Sequence, residues 1–405
     1  RVNPTPTPDE DLLLFFSRRI GLSSSGLPIP ISLGGRLTGR AGGFTVGALS
    51  VQTESHGATP ATNYTVLRAR RNISGASDVG AFYMQRQNTD DTADWNRVYG
   101  VDANIRLPGQ TDWSTYLVNT STPGVTGSTA AWRTSINHEG NYFHGKVGAM
   151  ELGRHFRDDL GYYRRTDARK WFLDTGIRPR PVALKTRGVR ELHPHVVWTY
   201  FTKPDGRMIG KNLHTGFSVF LNNGGVFELS ANPRMEELTS PLRLATTAPA
   251  IPVGDYAWTE WKLLAQTDAS RKIAVSGNYW WGGLWSGTQK TLQATVTLQP
   301  SGRAKLAVGI NRTDGTLTRP AADFVTSLYT LRGNYSFSTN MYLDALMQVN
   351  RDTHQVNTNI RFNLMHHPLS DLFIVYNEQR DTTAPRLPVL TNRAFIVKFN
   401  RLFRS

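Results

Sequence analysis

The stretch Val356-Asn357-Thr358-Asn359-Ile360-Arg361-Phe362-Asn363-Leu364 decides the fold. Val356, Thr358, Ile360, Phe362 and Leu364 fall on one side of an extended chain, and Asn357, Asn359, Arg361 and Asn363 on the other. An apolar–polar period of two is the mark of a strand with unlike surroundings on its two faces, and no helical spacing reproduces it. Outward from it the pattern recurs. Leu292, Ala294, Val296 and Leu298 oppose Gln293, Thr295, Thr297 and Gln299. Leu306, Val308 and Ile310 oppose Lys305 and Asn311, and Met341, Leu343, Ala345, Met347 and Val349 oppose Asp344, Gln348 and Asn350. Phe395, Val397 and Phe399 oppose Lys398 and Asn400, and Phe217, Val219 and Leu221 oppose Ser218 and Asn222. Between such runs lie turn-formers such as Gln299-Pro300-Ser301-Gly302 and Asn222-Asn223-Gly224-Gly225. About twenty strands are expected, eight from 32–41 to 141–151 and twelve from 188–203 to 391–402. No amphipathic helix of about twelve residues or more is expected, and no fixed repeat favours a propeller.

The 405 residues are enough for two or three ordinary domains or for one large closed β structure. No window approaches about 18 apolar residues, which excludes a transmembrane helix. The absence of cysteine excludes disulfides, thiolate metal sites and a cysteine nucleophile. A net charge of +15 attracts anions. The start, Arg1-Val2-Asn3-Pro4, lacks a basic and apolar leader, so a processed product or the later part of a longer chain is expected. Pro4-Thr5-Pro6-Thr7-Pro8 reads as an extended linker, and 1–31 as an extended N-terminal segment before a β domain over 32–405.

Alternation does not say which face is wet. A soluble sandwich would press the apolar faces into a core, whereas a membrane barrel would turn them to lipid. Three features favour a single transmembrane antiparallel barrel of about 16–20 strands, with 20 the best count. The polar faces are dense in Asn, Gln, Thr, Arg and Asp, as a watery or plugged interior requires. The runs match the roughly 9–11 residues of a membrane strand. Aromatics including Trp95, Trp113, Trp132, Tyr329, Tyr335, Tyr342 and Tyr376 sit near strand ends, as in an interfacial girdle. Lipid offers backbone groups no hydrogen-bond partner, so only a closed ladder satisfies a β chain there.

Four phrases carry a resemblance. They are Phe15-Phe16-Ser17-Arg18-Arg19-Ile20-Gly21 with Pro28-Ile29-Pro30-Ile31; Gly34-Gly35-Arg36-Leu37-Thr38-Gly39-Arg40 with Val46-Gly47-Ala48-Leu49-Ser50-Val51-Gln52-Thr53; Leu160-Gly161-Tyr162-Tyr163-Arg164-Arg165-Thr166-Asp167; and Phe395-Ile396-Val397-Lys398-Phe399-Asn400-Arg401-Leu402-Phe403. Together, over about 12–403, they resemble an uncharacterised family of bacterial outer-membrane barrel domains. In that family the barrel follows a module similar to carbohydrate-binding family nine. The resemblance implies outer-membrane localisation in a Gram-negative-type bacterium and contact with outer-membrane lipid and lipopolysaccharide. It supplies no reaction to carry over. The upstream module and its sugar binding are not represented in these residues. The last phrase resembles a barrel assembly signal, with Arg404 and Ser405 following it.

The longest stretch outside expected strands is 153–187. It carries Arg154, Arg157, Asp158, Asp159, Arg164, Arg165, Asp167 and Arg169. Long connections in compact folds tend to be functional, and a barrel of about 20 strands is too wide for side chains alone to fill. The segment is expected to enter the lumen, where these groups would line an Arg-rich constriction selecting small anionic or sugar solutes. The bland alternative is a solvated loop against lipopolysaccharide phosphates. Trp258, Trp261, Trp280, Trp281 and Trp285 are candidates for girdle anchors, with a sugar-stacking platform as the alternative.

Other constellations carry less. His138, Glu139 and His144 lack zincin spacing and read as hairpin polar residues. His193 and His195 share a strand face, and His366-His367 precede Pro368, but strand-end roles explain both. No Gly-x-Ser-x-Gly elbow surrounds Ser276 or Ser17. Gly34-Gly35 and Gly42-Gly43 lack the Lys-Ser/Thr of a phosphate loop. Basic residues are spread over many strands rather than clustered, which argues against nucleic acid. No catalytic residue, metal ligand or cofactor is assigned. The expectation is a passive pore or membrane scaffold. The alternatives are a carbohydrate-binding surface protein and a hydrolase at the barrel rim.

Overall fold

In the computed structural model the described residues are 12–23, 26–368, 370–384 and 388–401. The opening proline-rich stretch and the Leu402-Phe403 end of the last phrase lie outside them. The chain divides into two compact units, 1–177 with 195–212, and 178–194 with 213–405.

The first unit contains β1 (Leu12–Leu13), β2 (Ile31–Ala41), β3 (Phe44–Thr53), β4 (Thr62–Ser74), β5 (Ser77–Asn88), β6 (Trp95–Leu107), β7 (Thr111–Ser121), β8 (Ala130–Glu139), β9 (Phe143–Leu152), β10 (Tyr162–Tyr163) and β11 (Ala168–Ile177). β12 (Val189–Thr202) and β13 (Met208–Leu221) contribute residues to both units. The second unit continues with β14 (Val226–Leu238), β15 (Gly254–Gln266), β16 (Ile273–Leu284), β17 (Gly287–Ser301), β18 (Ala304–Thr318), β19 (Ala321–Ser338), β20 (Met341–Asn350), β21 (Gln355–His367), β22 (Ser370–Asp381) and β23 (Val389–Phe399). β2 to β9 pair antiparallel in chain order, β9 pairs with β11, and β14 to β23 again pair in order. The short β1 and β10 form a separate two-stranded ladder. The fold is all-β, an antiparallel β-barrel in topology, with 21 strands in the main sheet among the described residues.

Turn chemistry fixes register locally. The β2–β3 hairpin turns on Gly42 and Gly43, both at positive φ (55° and 81°), the geometry a two-residue primed turn demands and glycine supplies. Arg40 then faces Thr45, and Ala41 faces Phe44.

Twenty main strands lie where alternation places them; β11 is the twenty-first. It falls inside 153–187, which reads as one long connection in the sequence, so the irregular part before it is 153–167. The reason lies in its side chains. Trp171 is exposed on one face, while Lys170 and Phe172 are both buried on the other. A strand that buries a cation and an aromatic together shows no clean polar–apolar contrast.

The apolar stripes are exposed and the polar faces are covered. On β17 Leu292, Val296 and Leu298 are exposed, and their cross-strand partners on β18 continue the stripe, Val296 opposite Val308 and Leu298 opposite Leu306. Val308 is 54% exposed. On β15 Trp261 and Leu263 are exposed, while Glu260, Lys262 and Leu264 between and beside them are buried. The first unit repeats this. Ile105, Trp113, Ile136, Val147 and Leu173 run in register across β6, β7, β8, β9 and β11. Each large side chain left in water forgoes about 1.5–3 kcal/mol of burial. A whole stripe of them is compatible with stability only where the surroundings are themselves apolar. These stripes mark the barrel as the transmembrane type. Charge bounds the band: Lys290 precedes Leu292 on β17, and Arg312 and Asp314 follow Ile310 on β18.

Candidate functional site

In the first unit the polar face of β4–β9 is partly covered by two chain segments. Leu12, Phe156 and Leu160 bury against Met84, Val98, Val118, Ala131, Met150 and Leu152, with Leu14 and Ile20 at the margin. The segments hold each other through the β1–β10 ladder and the Phe16 N–H, which donates to the Leu160 carbonyl at 2.7 Å.

Hydrogen bonds fix 156–160 to the wall. Asn96, fully buried on β6, donates from Nδ2 to the Arg157 carbonyl (2.8 Å), and its Oδ1 accepts the Asp159 N–H (3.0 Å). The Arg157 N–H donates to Thr120 Oγ1 at 3.2 Å. Arg86 on β5 donates from Nε to Asp159 Oδ2 at 2.8 Å and from Nη1 to Asp94 Oδ2 at 2.9 Å. Arg157 Nε donates to Asp159 Oδ1 at 2.9 Å. Two guanidinium groups therefore share one carboxylate, a charge-assisted clamp stronger than neutral hydrogen bonds.

Asp158 points the other way, into the apolar seam. Burial pushes its carboxyl up to about 7. The N–H groups of Leu160 and Gly161 and the charge of Arg19 oppose the rise, and the charge of Asp159 adds to it.

The sequence-derived candidates separate into groups. Arg157, Asp158 and Asp159 come together at the wall. Arg154 and Arg164 are exposed. Arg165 stacks over Phe201 at 4.9 Å and donates to the Ile209 carbonyl at 3.3 Å. Asp167 accepts from Lys203 Nζ at 3.3 Å. Arg169 lies on the opposite face, beside Trp171, paired with Glu151 at 2.8 Å.

The second unit buries charge on its polar face too. Glu228, 1% exposed, accepts from Ser218 Oγ (2.9 Å) and faces His214 Nε2 (3.7 Å) and Lys262 Nζ (3.6 Å). Arg234 pairs with Glu260 at 2.6 Å, and Gln289 Nε2 donates to the same carboxylate at 3.1 Å. Arg86, Asn96, Glu228 and Lys262 were not singled out from sequence. Their strand faces were readable; their partners depend on register.

The five tryptophans divide between faces. Trp261 stacks on its cross-strand partner Trp281 at 6.5 Å, and Trp281 on Tyr279 at 5.6 Å, on the apolar face. Trp280 stands on the polar face opposite Lys262, whose ammonium lies 5.9 Å from its ring. Trp258 meets Trp285 at 5.0 Å, beside the cluster of Ala245, Ala248, Ile251, Leu317 and Phe324. Three of the histidines are occupied locally: His138 Nδ1 meets Thr111 Oγ1 at 3.0 Å, His144 lies 3.8 Å from Asp174, and His193 packs on Phe220.

No family model matches the chain, and no curated protein matches it. Among solved structures, the ferric-catecholate import receptor Fiu from E. coli K12, in its open form, is similar at a TM-score of 0.37 and 12% identity, over 91% of this chain and 74% of that one. Salmonella typhi OmpF in complex with daunomycin is similar at a TM-score of 0.30 and 10% identity, over 77% of this chain and 92% of that one.

Proposed function

We propose that this chain is an outer-membrane β-barrel of a Gram-negative-type bacterium. It forms a passive, anion-preferring pore narrowed by residues 153–167, with outer-membrane lipid and lipopolysaccharide as its surroundings. The family that the four sequence phrases resemble belongs to the same reading. The observation that carries it is the inversion of side chains: Leu, Val and Trp stripes are exposed while Arg86, Asp159, Glu228 and Lys262 are covered. Charges of both signs set into a wetted wall constrain the path of an ion, and the net charge of +15 biases selection toward anions. The Arg86–Asp159 clamp supplies the anchor a constricting segment needs against flow.

The test is single-channel conductance in planar bilayers, comparing the intact chain with one in which 154–166 is replaced by a short Gly-Ser linker. The reading expects anion selectivity in the intact chain and a severalfold larger conductance in the variant. Equal conductance and equal selectivity would remove the constriction.

A further inference from the structure

The polar face of β6–β9 holds a recess that the clamp does not use. Its volume is about 500 Å³, within the roughly 300–1,000 Å³ of small-molecule sites. Its construction follows the ladder. Asn104, Ser114, Ser135 and Gly148 stand side by side on four successive strands. Asn104, Ser114 and Ser135 make a floor, and beyond them the Phe172 ring lies over Gly148. Gly148 is required there, because a Cβ would collide with the Phe172 ring and the Thr134 carbonyl.

One wall is the row Tyr116–Arg133, and the other is Asp112–Asn137–Lys146. Leu12 of the covering segment borders the recess. The Arg133 guanidinium is held in place by two contacts: Nη1 donates to Ser114 Oγ at 3.1 Å, and the group lies 5.4 Å from the Phe172 ring. Lys170 approaches the same ring at 5.6 Å, adding positive charge behind the wall. Of the nearby carboxylates, Asp112 is paired with Arg106 at 2.7 Å, Asp102 with Arg68 at 2.8 Å, and Asp78 with Arg70 while it accepts from Asn104 Nδ2 at 3.2 Å; Asp174 stands opposite Lys146 in the ladder. The recess therefore has cations on two sides, hydroxyl and amide groups between them, and positive charge in excess.

We infer that this recess binds a small polyhydroxylated anion. Its charged group lies between Arg133 and Lys146, and its hydroxyls lie along Ser114, Ser135, Asn104 and Asn137. The cations supply charge-assisted contacts; the floor admits a slender chain or ring and excludes bulk. The inference rests on the reading that the polar face is wet, and it deepens that reading by naming the solute class.

The test is isothermal titration of the full chain, refolded in detergent micelles, with gluconate, glucose 6-phosphate and glucose. Gluconate is expected to saturate at least tenfold more tightly than glucose, and added chloride to weaken it. Tighter binding of the phosphate than of gluconate supports the site and assigns it to phosphorylated solutes; the reverse assigns it to sugar acids. Lys146→Met should weaken gluconate at least tenfold, and Ser135→Val, which fills the floor, should do the same. If either variant fails to fold, the wild-type comparison of gluconate with glucose decides. Equal affinity for the two, or no saturable binding by folded protein, overturns the inference. A chain that conducts anions but binds neither probe would leave the pore standing and remove only this site.

Discussion

Arg86 Nε donates to Asp159 Oδ2 at 2.8 Å across 73 positions of sequence, and this contact ties an irregular segment to the wall of a strand. Both side chains are largely covered, 13% and 19% exposed. Asn at 159 leaves Arg86 paired with Asp94 but removes the charge that the Arg86 and Arg157 guanidinium groups grip, at a cost of about 1.5–3 kcal/mol. Asp159→Asn should therefore release 153–167. Limited proteolysis in detergent should cut the variant within that segment at least tenfold faster, while the strands stay resistant. Equal cutting rates would mean that the apolar seam alone holds the segment.

Asp158 makes that seam sensitive to acid. Its carboxyl titrates near 7 when docked, against an ordinary value of 3.8. A raised carboxyl favours the docked state while protonated, so docking is strongest below about pH 4. It then weakens as pH rises toward 7, by on the order of 4 kcal/mol in all, and is flat above that. Proteolytic opening of 153–167 should increase from pH 4 to pH 7 in the intact chain. Asp158→Asn should flatten the profile. A profile rising toward acid would contradict the buried carboxyl.

Orientation of the strands sets different tolerances on the two faces of one strand. Val296 belongs to the exposed stripe of β17, and Gln293 to its polar face. Arginine on the lipid face near mid-membrane costs about 2–4 kcal/mol, whereas on the wet face it is tolerated. Val296→Arg should lower stability by that amount in urea refolding with phospholipid vesicles, and Gln293→Arg should change it little. Comparable losses for both would count against lipid on the Val296 side.

How far the sequence reveals this architecture depends on local contrast. β21 is readable because Val356, Ile360 and Phe362 alternate with Asn357, Asn359 and Arg361, and a steep change of surroundings selects that alternation. β11 is hidden because Phe172 faces the polar side, covered by Arg133 and Lys170. The tryptophans could have been sorted from spacing alone. Trp258 and Trp261 are three apart and Trp280 and Trp281 adjacent, so each pair must straddle a strand. The clamp could not. Asn96 meets Arg157 only after three hairpins have set the register, and Arg86 meets Asp159 only after four. The floor of Asn104, Ser114 and Ser135 is likewise a product of register, since its members come from three different strands.

The central claim concerns which stripe touches lipid, and the chain's lack of cysteine allows a clean scan. Single cysteines at each position from 291 to 298 would carry a nitroxide in bilayers, with collision rates measured for dissolved oxygen and for a water-soluble nickel chelate. We expect oxygen access to peak at 292, 294, 296 and 298 and nickel access at 291, 293, 295 and 297. The opposite phase, or no period of two, would contradict a membrane barrel with its polar face inward.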